Sequence, residues 1–268
     1  MKKHMVSYII IAFSWTWTCW IGAFLLSRQQ NHDLDTEVIV FDLFRYFSLE
    51  EGLLSQLLFA AGVYGPLLGF LFNRGKFKRW SPDRSMARYV WMIVVIPVVI
   101  TIPALLLSLF FTAGASPVPG FVQASGLISL YFIANFLTSG TEEFGWRGIL
   151  YPYFREKGVS FWEAAWKGGL IWAVWHYPLL FVLYAEAGLI VLLPSLAGFT
   201  VSIIAMNYIT NFIFEKTVSI PLVMVLHALN NTGSFAVLLF FPGTPFLFVS
   251  SLSAWVIVAV LEKKYRLE

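Results

Sequence analysis

Charge is what this sequence has least of. Only 12% of its 268 residues are Asp, Glu, Lys or Arg, while 59% are hydrophobic. A soluble domain carries roughly a quarter charged residues, so this balance excludes one and points to lipid as the solvent. Cysteine is nearly missing: Cys19 stands alone, which excludes an intrachain disulfide framework and any multi-cysteine metal site. Three signatures of membrane-embedded proteases are absent: the HExxH zinc pair, the GxGD aspartyl turn and the GxSxG serine elbow. No run of ten-residue alternating segments suggests a β-barrel, and no internal repeat or low-complexity tract is found. Histidine is scarce as well, with four in the chain, so the placing of each is informative.

What is present is apolar length. A bilayer core of roughly 30 Å needs about 20 apolar residues per helix. Eight stretches meet that need: 5–26, 55–72, 89–111, 121–140, 167–184, 189–214, 219–240 and 247–261. The expected fold is therefore all-α, a polytopic membrane protein of about eight transmembrane helices. Residues 1–268 read as a single integral membrane domain whose catalytic-type residues lie within 121–240. The N-terminus opens like a signal peptide. Its apolar run is too long for that, and no small-residue cleavage site follows, so it reads as a retained first span. The 11 Trp and 26 Phe suit lipid-facing surfaces and interfacial belts.

Lys and Arg set the expected orientation. The stretch "NRGKFKRWSPDRSMAR" (73–88) carries six of them, whereas the connection after the first span is acidic. With both termini inside, all but Arg28 and Arg45 of the 18 basic residues fall on one side. By the positive-inside rule that side is the cytoplasm. Residues 28–54 then form an external loop, with helical periodicity suggesting an interfacial helix.

Against this background "TEEFGWRGILYP" (141–152) stands out, because two carboxylates and a guanidinium end the fourth apolar stretch. The plain reading is a solvated helix end. Spacing argues for more. Glu143 and Arg147 are i, i+4, the favourable orientation for an acid–base pair, whereas Glu142 lies about 100° round the helix with no such partner. A carboxylate left without a cation suits a general base. His176 ("WAVWHYP") and His227 ("VLHALNNTG") lie inside spans, and Asn231 shares the His227 face at i+4. Each alone reads equally well as a helix–helix hydrogen bond. Yet His227 is about nine residues into its span, on the order of 14 Å deep, and His176 is similar. Glu142 reaches that level if its helix continues through Arg147 before Gly148 and Pro152 end it. Asn207, Asn211 and Glu215, an i, i+4, i+8 stripe, read as ordinary interhelical packing.

Taken in order, "EExxxR" (Glu142, Glu143, Arg147), an aromatic-xxx-His (Trp172, His176) and "HxxxN" (His227, Asn231) resemble the CAAX-processing and bacteriocin-processing family of intramembrane glutamic endopeptidases. That family includes the type II CAAX prenyl endopeptidases. The resemblance covers roughly 138–232, and its second motif usually begins with Phe where this chain has Trp172. It implies that Glu142 and His176 activate a water, that His227 and Asn231 stabilise the oxyanion, and that Glu143 and Arg147 support Glu142. It implies hydrolysis without a metal or other cofactor, and a membrane-associated or lipidated peptide substrate in the bilayer rather than nucleic acid. It also implies a prokaryotic cell membrane; the Lys and Arg distribution places the site toward the cytoplasm. Two histidines and a glutamate leave a metalloenzyme as one alternative. A non-catalytic membrane scaffold or immunity protein that binds a peptide in the same polar cavity is another. A transporter fits less well, because the charges cluster toward one face and no inverted repeat is present.

Overall fold

In a computed structural model the chain is all-helical, and residues 2–31, 34, 52–75, 86–111 and 120–265 are described. The basic stretch 76–85 and most of the loop read as an interfacial helix lie outside the described residues. The helices are α1 (Lys2–Gln29), α2 (Leu53–Gly62), α3 (Gly65–Asn73), α4 (Met92–Phe111), α5 (Phe121–Leu137), α6 (Tyr151–Glu156), α7 (Phe161–Tyr184), α8 (Leu189–Thr217), α9 (Ile220–Phe240) and α10 (Phe248–Tyr265). Among the described residues six helical stretches are long and apolar enough to cross a membrane, and α2 with α3 make a bent seventh. Helix α7 has 24 residues, long enough to span at 1.5 Å each, but is not among those six.

Two expected spans differ in form. The second is broken, with α2 and α3 meeting at 51°. Pro66 explains the bend, since it has no N–H to give the carbonyl of Gly62 one turn back. In lipid a freed carbonyl needs another donor, and the Thr16 hydroxyl supplies it at 2.7 Å. The indoles of Trp15 and Trp20 donate to the Ala61 and Phe59 carbonyls at 2.8 and 3.0 Å. Glycine lets α1 come this close: a Cβ on Gly69 would lie 2.7 Å from the Tyr8 ring.

The fourth span also departs from expectation, because Gly148 and Pro152 do not end it. After α5 the backbone deforms at Thr138, passes through a 3-10 segment (Ser139–Glu142) and one α turn (Glu143–Gly145), and opens into a π segment (Trp146–Leu150). Pro152 falls in the first turn of α6, where a missing N–H is tolerated. The path stops near Gly158, whose φ of 74° suits glycine. A π segment widens the turn and is frequent at functional sites. Here it carries Arg147 inward.

The packing is inverted relative to a soluble protein. Large apolar side chains such as Phe110, Phe121 and Ile190 lie on the outside, while Glu142, Glu143, Arg147, Asn207, Thr210 and Asn211 are buried. Small residues bring α7 and α8 together. A Cβ on Gly169 would lie 2.7 Å from the Ile204 Cα, and one on Gly168 would lie 2.9 Å from the Asn207 amide. An ion pair of Arg28 with Glu186 ties the end of α1 to the residues after α7. Tyr89, Phe212 and Tyr265 join the residues before α4 to the ends of α8 and α10. Both sets of contacts are those of helices alternating in direction.

Candidate active site

The adjacent carboxylates divide their partners. Glu143, fully buried, forms the expected i, i+4 ion pair with Arg147 at 2.9 Å. Its other oxygen accepts from His227 Nδ1, also at 2.9 Å. Arg147 is fully buried too, and desolvation opposes it unless its donors are used. It donates to Asn207 Oδ1 at 2.9 Å and to the Thr210 hydroxyl, and its guanidinium lies over the Trp172 ring, 4.9 Å from the centroid. Asn207 is held in turn by donating to the Ala165 carbonyl at 2.7 Å.

Glu142 has no cation of its own. It is 2% exposed, and its Oε2 accepts two indole N–H groups, from Trp172 at 2.8 Å and Trp146 at 3.2 Å. Glu142 and His227 lie within electrostatic range of each other, as do His227 and His176. Glu143 and Arg147, expected to support Glu142, pair with each other beside it, and Glu143 also holds His227, while the hydrogen bonds to the Glu142 carboxylate come from the two tryptophans.

The histidines are each fixed at one nitrogen. His176 Nδ1 lies 3.0 Å from the Trp172 carbonyl, which can only accept, so Nδ1 carries the proton and Nε2 the lone pair. Its ring sits among Trp20, Trp172, Trp175 and Phe199, with Trp175 nearest at 4.6 Å. His227 gives its Nδ1–H to Glu143, and its Nε2 takes no part in that bond. The His227 ring meets Trp172 edge-on at 5.4 Å. Asn231 donates through Nδ2 to Asn135 Oδ1 at 3.0 Å, and Asn135 donates to the Tyr131 carbonyl at 3.2 Å.

Sequence reasoning missed several of these partners. Trp146 had a readable signal, lying i+4 from Glu142. Asn207 was seen in the polar stripe and read as packing, although it grips Arg147. Asn135 had no signal beyond being a lone amide in an apolar run. From the same stripe, Glu215 lies apart from the cluster, pairing with Arg155 and accepting from Tyr151. Tyr8 was not singled out at all. It is fully buried, and its ring meets Trp146 edge-on at 6.0 Å. Among the described residues no group of three or more His, Cys, Asp or Glu is arranged to hold a metal ion.

A buried carboxylate and two imidazoles from different helices thus surround one tryptophan on a chain that spans the membrane, with the Asn231 amide one turn from His227 on α9. Residues 124–233 match a known family, described as type II CAAX prenyl endopeptidase Rce1-like. This segment is similar to that family. It covers about two fifths of the chain, from within α5 to within α9, and contains Glu142, Glu143, Arg147, Trp172, His176, His227 and Asn231. Helices α1–α4 and α10 lie outside it, although Tyr8 and Trp20 of α1 reach site residues. No curated protein matches the chain.

Proposed function

We propose that the chain is an intramembrane endopeptidase that hydrolyses a peptide bond in a membrane-associated or lipidated substrate. The observation that carries this reading is the unequal treatment of neighbouring carboxylates. Glu143 takes the cation and the imidazole, while Glu142 receives only neutral donors. A buried carboxylate that hydrogen-bonds to no cation is suited to taking a proton.

In this scheme Glu142 removes a proton from a water that the His176 Nε2 lone pair helps to hold. The hydroxide adds to the scissile carbonyl carbon, and the carbonyl oxygen becomes the oxyanion. His227, protonated and backed by Glu143, donates to that oxygen through Nε2. Asn231 has one amide hydrogen on Asn135 and gives the other. The C–N bond then breaks and the proton on Glu142 passes to the leaving nitrogen. Donors fixed in a site of low dielectric stabilise developing charge by several kcal/mol. No step uses a metal, so cleavage should continue in the presence of a strong chelator.

The site faces the cytoplasm in this reading, which rests on the Lys and Arg distribution. A prenylated C-terminal CAAX sequence is the first substrate class to test, given the family's description. The deciding comparison uses membranes from cells carrying the wild type or Glu142→Gln, with protein terminal peptides identified in each. Peptides released by the wild type should be missing from the variant while its abundance is unchanged. Identical peptides in both, with the cellular effect of the chain retained, would sink the hydrolase and leave a scaffold or immunity protein.

A further inference from the structure

Trp172 meets four of the site's charged or titratable residues, each through a different part of itself. Its indole N–H reaches Glu142 at 2.8 Å, and its face carries the Arg147 guanidinium at 4.9 Å. Its ring meets the His227 ring at 5.4 Å, and its backbone carbonyl takes His176 Nδ1 at 3.0 Å. We infer that Trp172 is a positioning residue whose indole N–H, together with that of Trp146, pins one oxygen of Glu142 so that the other is presented to the reacting water. This rests on the hydrolase reading above.

The physical case is one of rotation. A Glu carboxyl group turns about a broad, soft terminal torsion, so burial alone leaves its two oxygens interchangeable. Both indoles donate to the same atom, Oε2, from two helical segments. An indole donates and cannot accept, so neither ring competes for the proton Glu142 would take up. The rings themselves are fixed: both tryptophans are almost fully buried, and their centroids lie 6.2 Å apart. Phenylalanine at position 172 keeps an aromatic ring and the same backbone carbonyl, and loses the N–H together with part of the indole. Trp146→Phe separates the two losses, since it also removes a donor to Oε2 but leaves the ring that meets Arg147 and His227 in place.

The test compares Trp172→Phe, Trp146→Phe and the double variant with wild type, and uses Glu142→Gln as reference. The probe is a farnesylated, internally quenched peptide ending in a CAAX sequence, presented in detergent micelles. Trp172→Phe should lower kcat about tenfold or more with KM within about twofold, since a reacting group loses its orientation but not its substrate contacts. The double variant should lose more than Trp172→Phe alone. A second readout needs no substrate. The infrared carboxyl band that vanishes in Glu142→Gln should move in Trp172→Phe and stay in place in Trp17→Phe, since the Trp17 indole donates to the Trp175 carbonyl at 3.1 Å and not to Glu142. An unmoved band, or wild-type kcat in Trp172→Phe, overturns the inference. If Trp172→Phe does not fold, Trp146→Phe is read in the same way. Retained cleavage in Glu142→Gln would instead overturn the hydrolase reading, which separates the two failures.

Discussion

The α1–α3 corner and the Glu142 cluster both bury polar groups in an apolar protein, and they satisfy them by opposite means. At the corner, side chains serve the backbone: Thr16, Trp15 and Trp20 donate to carbonyls around the Pro66 break. All the groups are neutral, and glycines supply the closeness. In the cluster, side chains serve one another across α5, the following 139–150 segment and α7–α9, and two of them form a fully buried ion pair. A corner of the first kind holds helices together. A cluster of the second kind is costly to desolvate and gives little stability over apolar packing, which is why its presence points to chemistry.

Breaking the cluster should therefore have the larger effect. Arg147→Ala would strip Glu143 of its cation inside the protein, and removing one partner of a buried pair costs about 3–5 kcal/mol. Loss of monodisperse protein on detergent chromatography, or a large fall in Tm, would check it. A Tm equal to wild type would mean that the pair is solvated after all.

Next comes the corner. Thr16→Val keeps the shape but leaves the Gly62 carbonyl without its donor and removes the nearer of the Trp175 indole's two acceptors, leaving it the Ala12 carbonyl at 3.3 Å. A stranded buried group costs about 1–3 kcal/mol, so Tm should fall moderately while the cluster's chemistry persists. Loss of cleavage with unchanged Tm would contradict the separation of the two regions. Gly69→Ala should act in the same direction, because its Cβ would press on Tyr8 and force α1 away from α3. Overpacking of this sort costs typically about 1–3 kcal/mol.

The smallest effect should come from the water-exposed ion pair of Arg28 with Glu186, whose side chains are 60% and 67% exposed. Exposed pairs contribute about 0–1 kcal/mol, so Arg28→Ala should leave Tm nearly unchanged. A fall as large as that of Thr16→Val would mean that this pair holds α1 and α7 together.

Much of the fold was legible from the chain. The apolar stretches, their lengths and the i, i+4 relation of Glu143 to Arg147 are local facts, fixed by helical period and bilayer thickness. Pro66 could have announced the α2–α3 break. Gly148 and Pro152 misled, because a proline in the first turn of a new helical segment interrupts nothing. Reading Trp172 as a large apolar stand-in for Phe accounted for its volume and missed its N–H. Asn135, Asn207 and Thr210 were out of reach, since their partners lie 60 to 96 residues away along the chain.

The sequence by itself determined that the molecule is helical, built for lipid, and supplied with a carboxylate that has no cation one turn away on its own helix. Helical periodicity and hydrophobicity act between neighbours, so one dimension suffices to state them. Only the tertiary structure decided which groups that carboxylate meets, and that its neighbour takes the histidine from α9 as well as the arginine. A hydrogen bond depends on distances of about 3 Å between atoms from separate helices, and no spacing along the chain encodes those.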